Sequence, residues 1–140
     1  MPDDERYWEV EVKGVGQDQG KPMVVLRDEQ DRQLPIYIGP CEALAIFQRL
    51  NAEFDPPRPL TADLALAMWK RLGATLKHLR IDDLWEGVYY SKLAFEQRGD
   101  EVLIDCRPSD GIALALAAKV PIYVADPVMR QDLSDEESGT

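Results

Sequence analysis

The sequence predicts a single α+β domain with three helices and an antiparallel or mixed, curved sheet of about seven strands. The periodic segments follow the order β-β-β-α-α-β-β-β-α-β, which lacks the strict alternation of a doubly wound sheet. A chain of 140 residues, of which 45% are hydrophobic, suits one core. Since no repeat or break divides the chain, we place the domain at residues 1–130. We expect the acidic tail at residues 131–140 to be disordered.

The first part of the chain predicts a three-stranded antiparallel meander that leads into a helix. Alternating apolar residues place strands over residues 7–16, 22–28 and 32–39, with a DEQD turn between the last two. Gly39 and Pro40 end the third strand, and proline suits the first turn of a helix. Apolar spacing extends that helix over residues 41–54.

A proline-rich loop, DPPRP, separates the first helix from the second. Thr61 is expected to be the N-cap of the second helix, with Asp63 in its first turn. An apolar stripe at four-residue spacing follows, made of Leu64, Met68 and Leu72, and Gly73 ends the helix as a C′ glycine.

The second part predicts a hairpin, a further strand, a buried helix and a last strand. The strands lie over residues 75–84, 88–97, 102–106 and 122–126. Ser109 is expected to cap the helix over residues 110–119, which is apolar on nearly every side and therefore predicted to be buried.

The net charge and composition of the chain limit the classes of function that the sequence is compatible with. A net charge of −10 opposes loose binding to nucleic acid, so such a site requires a local basic or metal-bearing patch. The sequence has no apolar run of about 18 residues, which predicts no membrane helix. The acidic N-terminus also lacks an apolar signal core, so we expect a cytoplasmic protein.

The scarcity of histidine and cysteine excludes several kinds of site. His78 is the only histidine, which excludes a pair of catalytic histidines and the HEXXH type of zinc site; we expect it at the surface. Cys41 and Cys106 are far apart and are expected to be reduced, half-buried thiols. Hydrolysis would therefore depend on carboxylates, a divalent metal and arginine.

The junction IDCRPSD contains the most informative polar residues. Ser109 and Asp110 have local structural explanations, since an acid in the first turn of a helix gains about 0.3–1 kcal/mol from the dipole. Asp105 and Arg107 have none, so they form either a structural ion pair or a carboxylate with a phosphate-binding arginine. Glu42 is either a dipole partner or a further site carboxylate.

Arg58, held between prolines, is the last candidate. Its position suits either an anion contact or a buried ion pair.

Four blocks together resemble the bifunctional nuclease domain family. They read LPIYIGPCEALAI, RPLTADL, IDDLWEGVYYSKL and IDCRPSDGIALALAAKVPIYV, in the order of the family and across most of the chain. The resemblance implies a small α+β protein with nuclease activity on RNA and DNA, and an oligomer, often a dimer. It places the polar positions of the family at Glu42, Arg58, Thr61, Asp63, Asp105, Arg107, Ser109 and Asp110.

The chain departs from the family pattern at a few positions. Ala62 stands where the family commonly has histidine, and Cys106 and Gly111 stand where alanine is usual. If that histidine were a base or a ligand, its absence would weaken or abolish activity in this chain.

The preferred hypothesis is a metal-dependent nuclease of low sequence specificity. Glu42, Asp105 and Asp110 would bind Mg²⁺ or Mn²⁺, and Asp63 would join the catalytic group. Arg107 would steady the phosphate; Arg58, Thr61 and Ser109 would bind the substrate. One alternative is a non-catalytic homo-oligomeric scaffold with a buried acid–arginine network, and another is a protein- or anion-binding regulatory module.

Overall fold

The structure, a computed structural model, describes residues 7–131 and contains one seven-stranded mixed sheet. The strands are β1 (Tyr7–Asp18), β2 (Lys21–Asp28), β3 (Gln33–Tyr37), β4 (Ala74–Trp85), β5 (Val88–Gln97), β6 (Asp100–Cys106) and β7 (Ile122–Ala125). Their order across the sheet is β3-β2-β1-β7-β4-β5-β6. This arrangement confirms the predicted α+β class.

Strand pairing is antiparallel except at the centre of the sheet. The predicted meander of β1, β2 and β3 is confirmed, as is the β4–β5 hairpin. β7 enters between the two halves of the sheet, antiparallel to β1 and parallel to β4. All four residues of β7 are buried, so this short strand joins the two halves through the core.

Three long helices pack on the sheet: α1 (Pro40–Arg49), α2 (Thr61–Arg71) and α3 (Pro108–Ala118). α3 packs tightly against β4 and β6 at Gly111, because this residue has no side chain. A Cβ built on Gly111 would lie 2.5 Å from Leu79 Cδ1 and 3.1 Å from Cys106 Sγ. Residues 126–131 form a further short helix that the sequence did not predict; its Val128 and Met129 belong to the core.

Two helix predictions were wrong in detail. The first helix ends at Arg49 rather than Phe54, because the next residues form a turn in which the Asn51 side chain accepts the Glu53 N–H at 3.0 Å. The predicted apolar stripe of α2 faces solvent, with Leu64, Met68 and Leu72 all exposed. The helix packs instead through Leu66 and Trp69, and the Trp69 ring meets Phe95 edge-on at 4.5 Å.

No helix within residues 7–131 combines the length and the apolar character that crossing a bilayer requires. The predicted disordered tail lies outside the described residues, except for residue 131, which belongs to the short helix.

Candidate functional site

A cleft of about 360 Å³ lies where the three long helices meet, and we call it the three-helix cleft. It is lined by Glu42, Ala45, Arg49, Leu60, Thr61, Ala62, Ala65, Ser109, Asp110, Ala113 and Leu114. Four predicted site residues therefore converge there: Glu42, Thr61, Ser109 and Asp110. Apolar walls with a few convergent polar groups are typical of small-molecule and substrate sites.

The first turn of α1 contributes Glu42. Gly39 is the extended N-cap and Pro40 opens the helix. The Glu42 carboxylate folds back over Gly39: a Cβ built there would lie 2.5 Å from Glu42 Oε2 and 2.8 Å from Oε1. Oε2 is buried and has no hydrogen-bond partner within residues 7–131. Since an unpaired buried polar atom is costly, this carboxylate is a candidate for a ligand or proton contact.

The start of α3 contributes Asp110 to the three-helix cleft, and the N-cap residue Arg107, which lines a neighbouring cleft, pairs with it. Arg107 Nε donates to Asp110 Oδ2 at 2.9 Å, and Nη2 donates to Oδ1 at 3.2 Å. The Asp110 carboxylate, through these hydrogen bonds and its charge, raises the pKa of Arg107, and the charge of Glu42 raises it further. The side chains of Arg107 and Asp110 are 69% and 48% exposed. The buried ion network predicted for this junction is therefore wrong, because the N-cap arginine points to solvent.

The first turn of α2 contains Asp63, which has a structural role. Its Oδ2 accepts the Leu60 N–H at 2.9 Å and an Arg49 Nη2 bond at 2.7 Å, so it ties the start of α2 to the end of α1. The hydrogen bond from Arg49 holds the pKa of Asp63 below its usual value.

Asp105 lies away from the three-helix cleft. Cys106 Sγ faces Gly111 of α3, and successive residues of a strand point to opposite faces. Asp105 is therefore on the other face of the sheet, exposed and across from Lys92 in the β5–β6 ladder. The catalytic and metal roles predicted for it stay predictions, and this position separates it from Glu42 and Asp110.

Three further predicted residues, Arg58 and the two helix caps, do not have the positions that the sequence predicted. Arg58 is exposed and does not line the three-helix cleft. The predicted caps Thr61 and Ser109 are wrong, since Leu60 and Arg107 are the N-caps; Ser109 is the second residue of α3 and is buried. The helices therefore begin earlier than predicted, α2 by one residue and α3 by two.

Ala62 lines the three-helix cleft, at the position where the family resemblance implies histidine. Glu42 and Asp110 line the same cleft, so a histidine at this position would add a titratable group to the candidate site.

His78 was expected at the surface, and this prediction was wrong. The ring is 3% exposed and meets Tyr123 edge-on at 5.4 Å. Burial lowers the pKa of His78. Cys106 is half-buried as predicted, whereas Cys41 is exposed, and both are free thiols. Burial raises the pKa of Cys106, which keeps its sulfur protonated.

The donor set for a divalent metal is small. Within residues 7–131, His, Cys, Asp and Glu side chains form no group of three or more that could hold an ion. The three-helix cleft offers the unpartnered Glu42 carboxylate and the Asp110 carboxylate. Such a pair matches the way Mg²⁺ binds through one or two carboxylates together with water and substrate phosphate. Two carboxylates are too few for a metal site built from protein ligands alone.

The fold and the site together define a class of protein: an α+β domain with an open sheet and with carboxylates and arginines around a cleft between its helices. A family model described as bifunctional nuclease domain matches residues 24–137. The chain belongs to the bifunctional nuclease domain family.

Relatives extend this assignment. A Mycobacterium tuberculosis protein described as uncharacterized is 44% identical over 141 residues, covering 94% of this chain and 84% of that protein. Bifunctional nuclease 1 of Oryza sativa is 30% identical over 102 residues, covering 71% of this chain. Bifunctional nuclease 2 of Oryza sativa is 28% identical over 109 residues and 74% of this chain. The matches span only 30% and 33% of these two rice proteins.

Proposed function

We propose that this chain hydrolyses phosphodiester bonds in RNA and DNA with little sequence specificity, and that the three-helix cleft is its active site. One observation carries the proposal: Glu42 Oε2, which is buried and has no hydrogen-bond partner among residues 7–131, belongs to a carboxylate whose charge acts on Arg107, the arginine that Asp110 holds in place. A proton acceptor beside a fixed guanidinium is the minimum that hydrolysis of a phosphodiester needs.

The proposed reaction assigns a step to each of these groups. A water oxygen bonds to phosphorus while its proton passes to Glu42, and the bond from phosphorus to the leaving ester oxygen breaks. That oxygen takes a proton from solvent. Arg107 has five N–H donors, of which Asp110 engages two, so the others can bind the non-bridging phosphate oxygens. The hydroxyl groups of Ser109 and Thr61 supply further donors to the substrate.

Metal dependence is part of the proposal. Glu42 and Asp110 would hold Mg²⁺ or Mn²⁺ together with the substrate phosphate, with one oxygen of Glu42 as a ligand and the other still the acceptor of the water proton. Such an ion lowers the pKa of a bound water and offsets phosphate charge.

The names of the rice relatives support the reaction class, because both are described as bifunctional nucleases. Asp63 enters the proposal as a positioning residue, since its bonds to Arg49 and Leu60 fix α2 against α1.

The test is cleavage of labelled single-stranded RNA and DNA by the purified chain, with Mg²⁺, with Mn²⁺ and with EDTA. Wild type should cleave both polymers, and EDTA should suppress the reaction. Glu42→Gln purified in parallel reveals any contaminating nuclease. Equal rates for the two proteins, or no cleavage by either, would leave the non-catalytic scaffold as the better account of the fold.

We also propose that the chain works in the cytoplasm as a homo-oligomer, a dimer in the first instance, and that β6 forms the contact. β6 is an edge strand, all but one of its residues are exposed, and Val102, Leu103 and Ile104 are each about 40% exposed. An unpaired apolar edge is a template for strand pairing. Ile104→Lys should yield a monomer by sedimentation, whereas Gln33→Lys on the β3 edge should not. An unchanged mass for Ile104→Lys would move the contact elsewhere.

A further inference from the structure

A second cleft, of about 470 Å³, lies beside Arg107 and shares Ser109 with the three-helix cleft. It is formed by the end of β3, the start of β5 and the N-terminus of α3. The residues that matter here are Lys21, Tyr37, Tyr89 and Arg107, and we call it the tyrosine cleft. The proposed reaction uses only Arg107 among them, so the rest of the lining is unexplained.

Tyr37 offers a fixed and open aromatic ring. The residue is 58% exposed at the last position of β3, where the ladder pairs it with Met23. Its hydroxyl donates to the Asp18 carboxylate, and this hydrogen bond raises the pKa of Tyr37. The phenol therefore stays a neutral donor, and the ring is anchored at its far end. An anchored ring pays little entropy when a flat ligand stacks on it.

Two cations accompany the ring. In the part of the chain that the structure describes, the Arg107 side chain hydrogen-bonds only to Asp110, and it is 69% exposed. Lys21 is exposed and forms no ion pair among residues 7–131. Asp110 already pairs with Arg107, so Lys21 supplies the unpaired positive charge; together with the remaining donors of Arg107 and the aromatic ring it makes a site suited to a phosphate next to a flat base.

We propose that the tyrosine cleft binds one unpaired nucleotide next to the bond that is cut, with its base stacked on Tyr37 and its phosphate against Arg107 and Lys21. This inference rests on the proposed function and names its substrate as single-stranded nucleic acid. A base inside a duplex is already stacked on both faces and cannot enter a concave cleft. Because every base has a π-face, stacking also gives the low sequence specificity expected of the enzyme.

The experiment measures binding without cleavage, by fluorescence anisotropy of a short labelled oligonucleotide in EDTA. Tyr37→Ala should raise the Kd of the single strand about fivefold to a hundredfold, the usual value of one base–aromatic stack. Tyr37→Phe should stay within about threefold, because it keeps the ring. Tyr90→Ala is the matched control: Tyr90 is 46% exposed on the same hairpin as Tyr89 but does not line the cleft.

Salt dependence tests the two cations separately. Two phosphate contacts to a single strand predict a slope of about −1.4 in log K against log salt, and Lys21→Ala should reduce it to about −0.7. Wild type should also bind the single strand at least tenfold more tightly than the matching duplex.

The result that overturns the inference is a Tyr37→Ala protein, folded by circular dichroism, with the wild-type Kd; equal affinity for duplex and single strand does the same. The proposed function can fail separately. Tyr37-dependent binding without Glu42-dependent cleavage would remove only the hydrolysis. Glu42-dependent cleavage without any Tyr37 dependence would remove only the stacking site.

Discussion

The first turns of α1 and α3 share one plan, and the difference that matters is at the N-cap. Gly39 and Arg107 are extended N-caps, with φ/ψ of −76°/161° and −72°/146°. Each is followed by proline at the first helical position and an acid at the third, Glu42 in α1 and Asp110 in α3. Arg107 reaches over its own first turn and neutralises Asp110, whereas Gly39 has no side chain and Glu42 occupies the vacated space.

α2 adds a third instance, in which Arg49 from the preceding helix neutralises Asp63. All three acids gain from the helix dipole, so position alone does not separate them. What separates them is the neighbouring guanidinium. Asp63 and Asp110 each bond a guanidinium, whereas Glu42 Oε2 has no hydrogen-bond partner among residues 7–131 and is open to a substrate or a water.

Among the variants that test this comparison, Glu42→Gln should have the largest effect on activity. The amide keeps the size of the side chain but cannot take up a proton, and the loss of a general base costs about 10²- to 10⁴-fold in rate. We expect at least a hundredfold loss in kcat on single-stranded RNA. The free energy of unfolding should stay the same or rise, because the amide removes the negative charge from a buried position without a partner. Glu53→Gln, at an exposed acid, is the control. Retention of half the activity would exclude Glu42 from the reaction.

Gly39→Ala tests whether the glycine positions Glu42. The new Cβ would lie 2.5 Å from Oε2, so the carboxylate must move, and a displacement of about 1 Å can cost up to a hundredfold in rate. We expect a tenfold or larger loss of kcat and a change in unfolding free energy below about 1 kcal/mol, because a flexible side chain can swing aside. Gly14→Ala, where a Cβ would meet nothing within 4 Å, should retain full activity.

A double variant sharpens this test. If Gly39 acts only through Glu42, adding Gly39→Ala to Glu42→Gln should lower the rate no further, because the two sites are coupled. Additive losses would mean that Gly39 acts on the backbone of the helix start instead.

Local patterns predicted the strands well, because the alternation of apolar and polar residues and the residue types of turns both depend on neighbouring residues. The β4–β5 hairpin is an example: Glu86 and Gly87 both have positive φ and lie between two alternating runs. The burial of helix faces was less predictable. Leu64 and Met68 have the spacing of a buried stripe, but Trp69 fills the space beside Phe95 and determines which face packs.

In the candidate site too, the features set by neighbouring residues were predictable and those set by packing were not. The first-turn acids were evident from proline and strand ends, which are local signals. Their partners were not, since Arg49 is 14 residues from Asp63 and meets it only after two helices pack. The orientation of β6 was equally hidden, because it depends on Cys106 and not Asp105 meeting Gly111.

Asp63→Asn should reduce stability more than activity. The ion pair with Arg49 is partly buried, with side-chain exposures of 14% and 29%, and its loss should cost about 1 kcal/mol at pH 7. Because the folded pKa of Asp63 lies below its usual 3.8, its stabilisation is complete above that value and is lost as pH falls through the folded pKa. The difference in unfolding free energy between variant and wild type should therefore be constant from pH 5 to 7 and shrink below pH 4. A constant difference down to pH 2 would contradict the ion pair.

Asp105→Asn should have the smallest effect, although the sequence places this acid in the most distinctive motif. It is exposed on the face of the sheet away from α3, and its cross-strand neighbour Lys92 already lies 3.9 Å from Asp82. We expect activity within about twofold of wild type and a change in unfolding free energy within about 0.5 kcal/mol. Melting curves and cleavage rates measured beside Glu42→Gln would check both. A tenfold loss of rate with unchanged stability would place the reactive group on the opposite face of the sheet, and Glu42 would then be the structural acid of the pair.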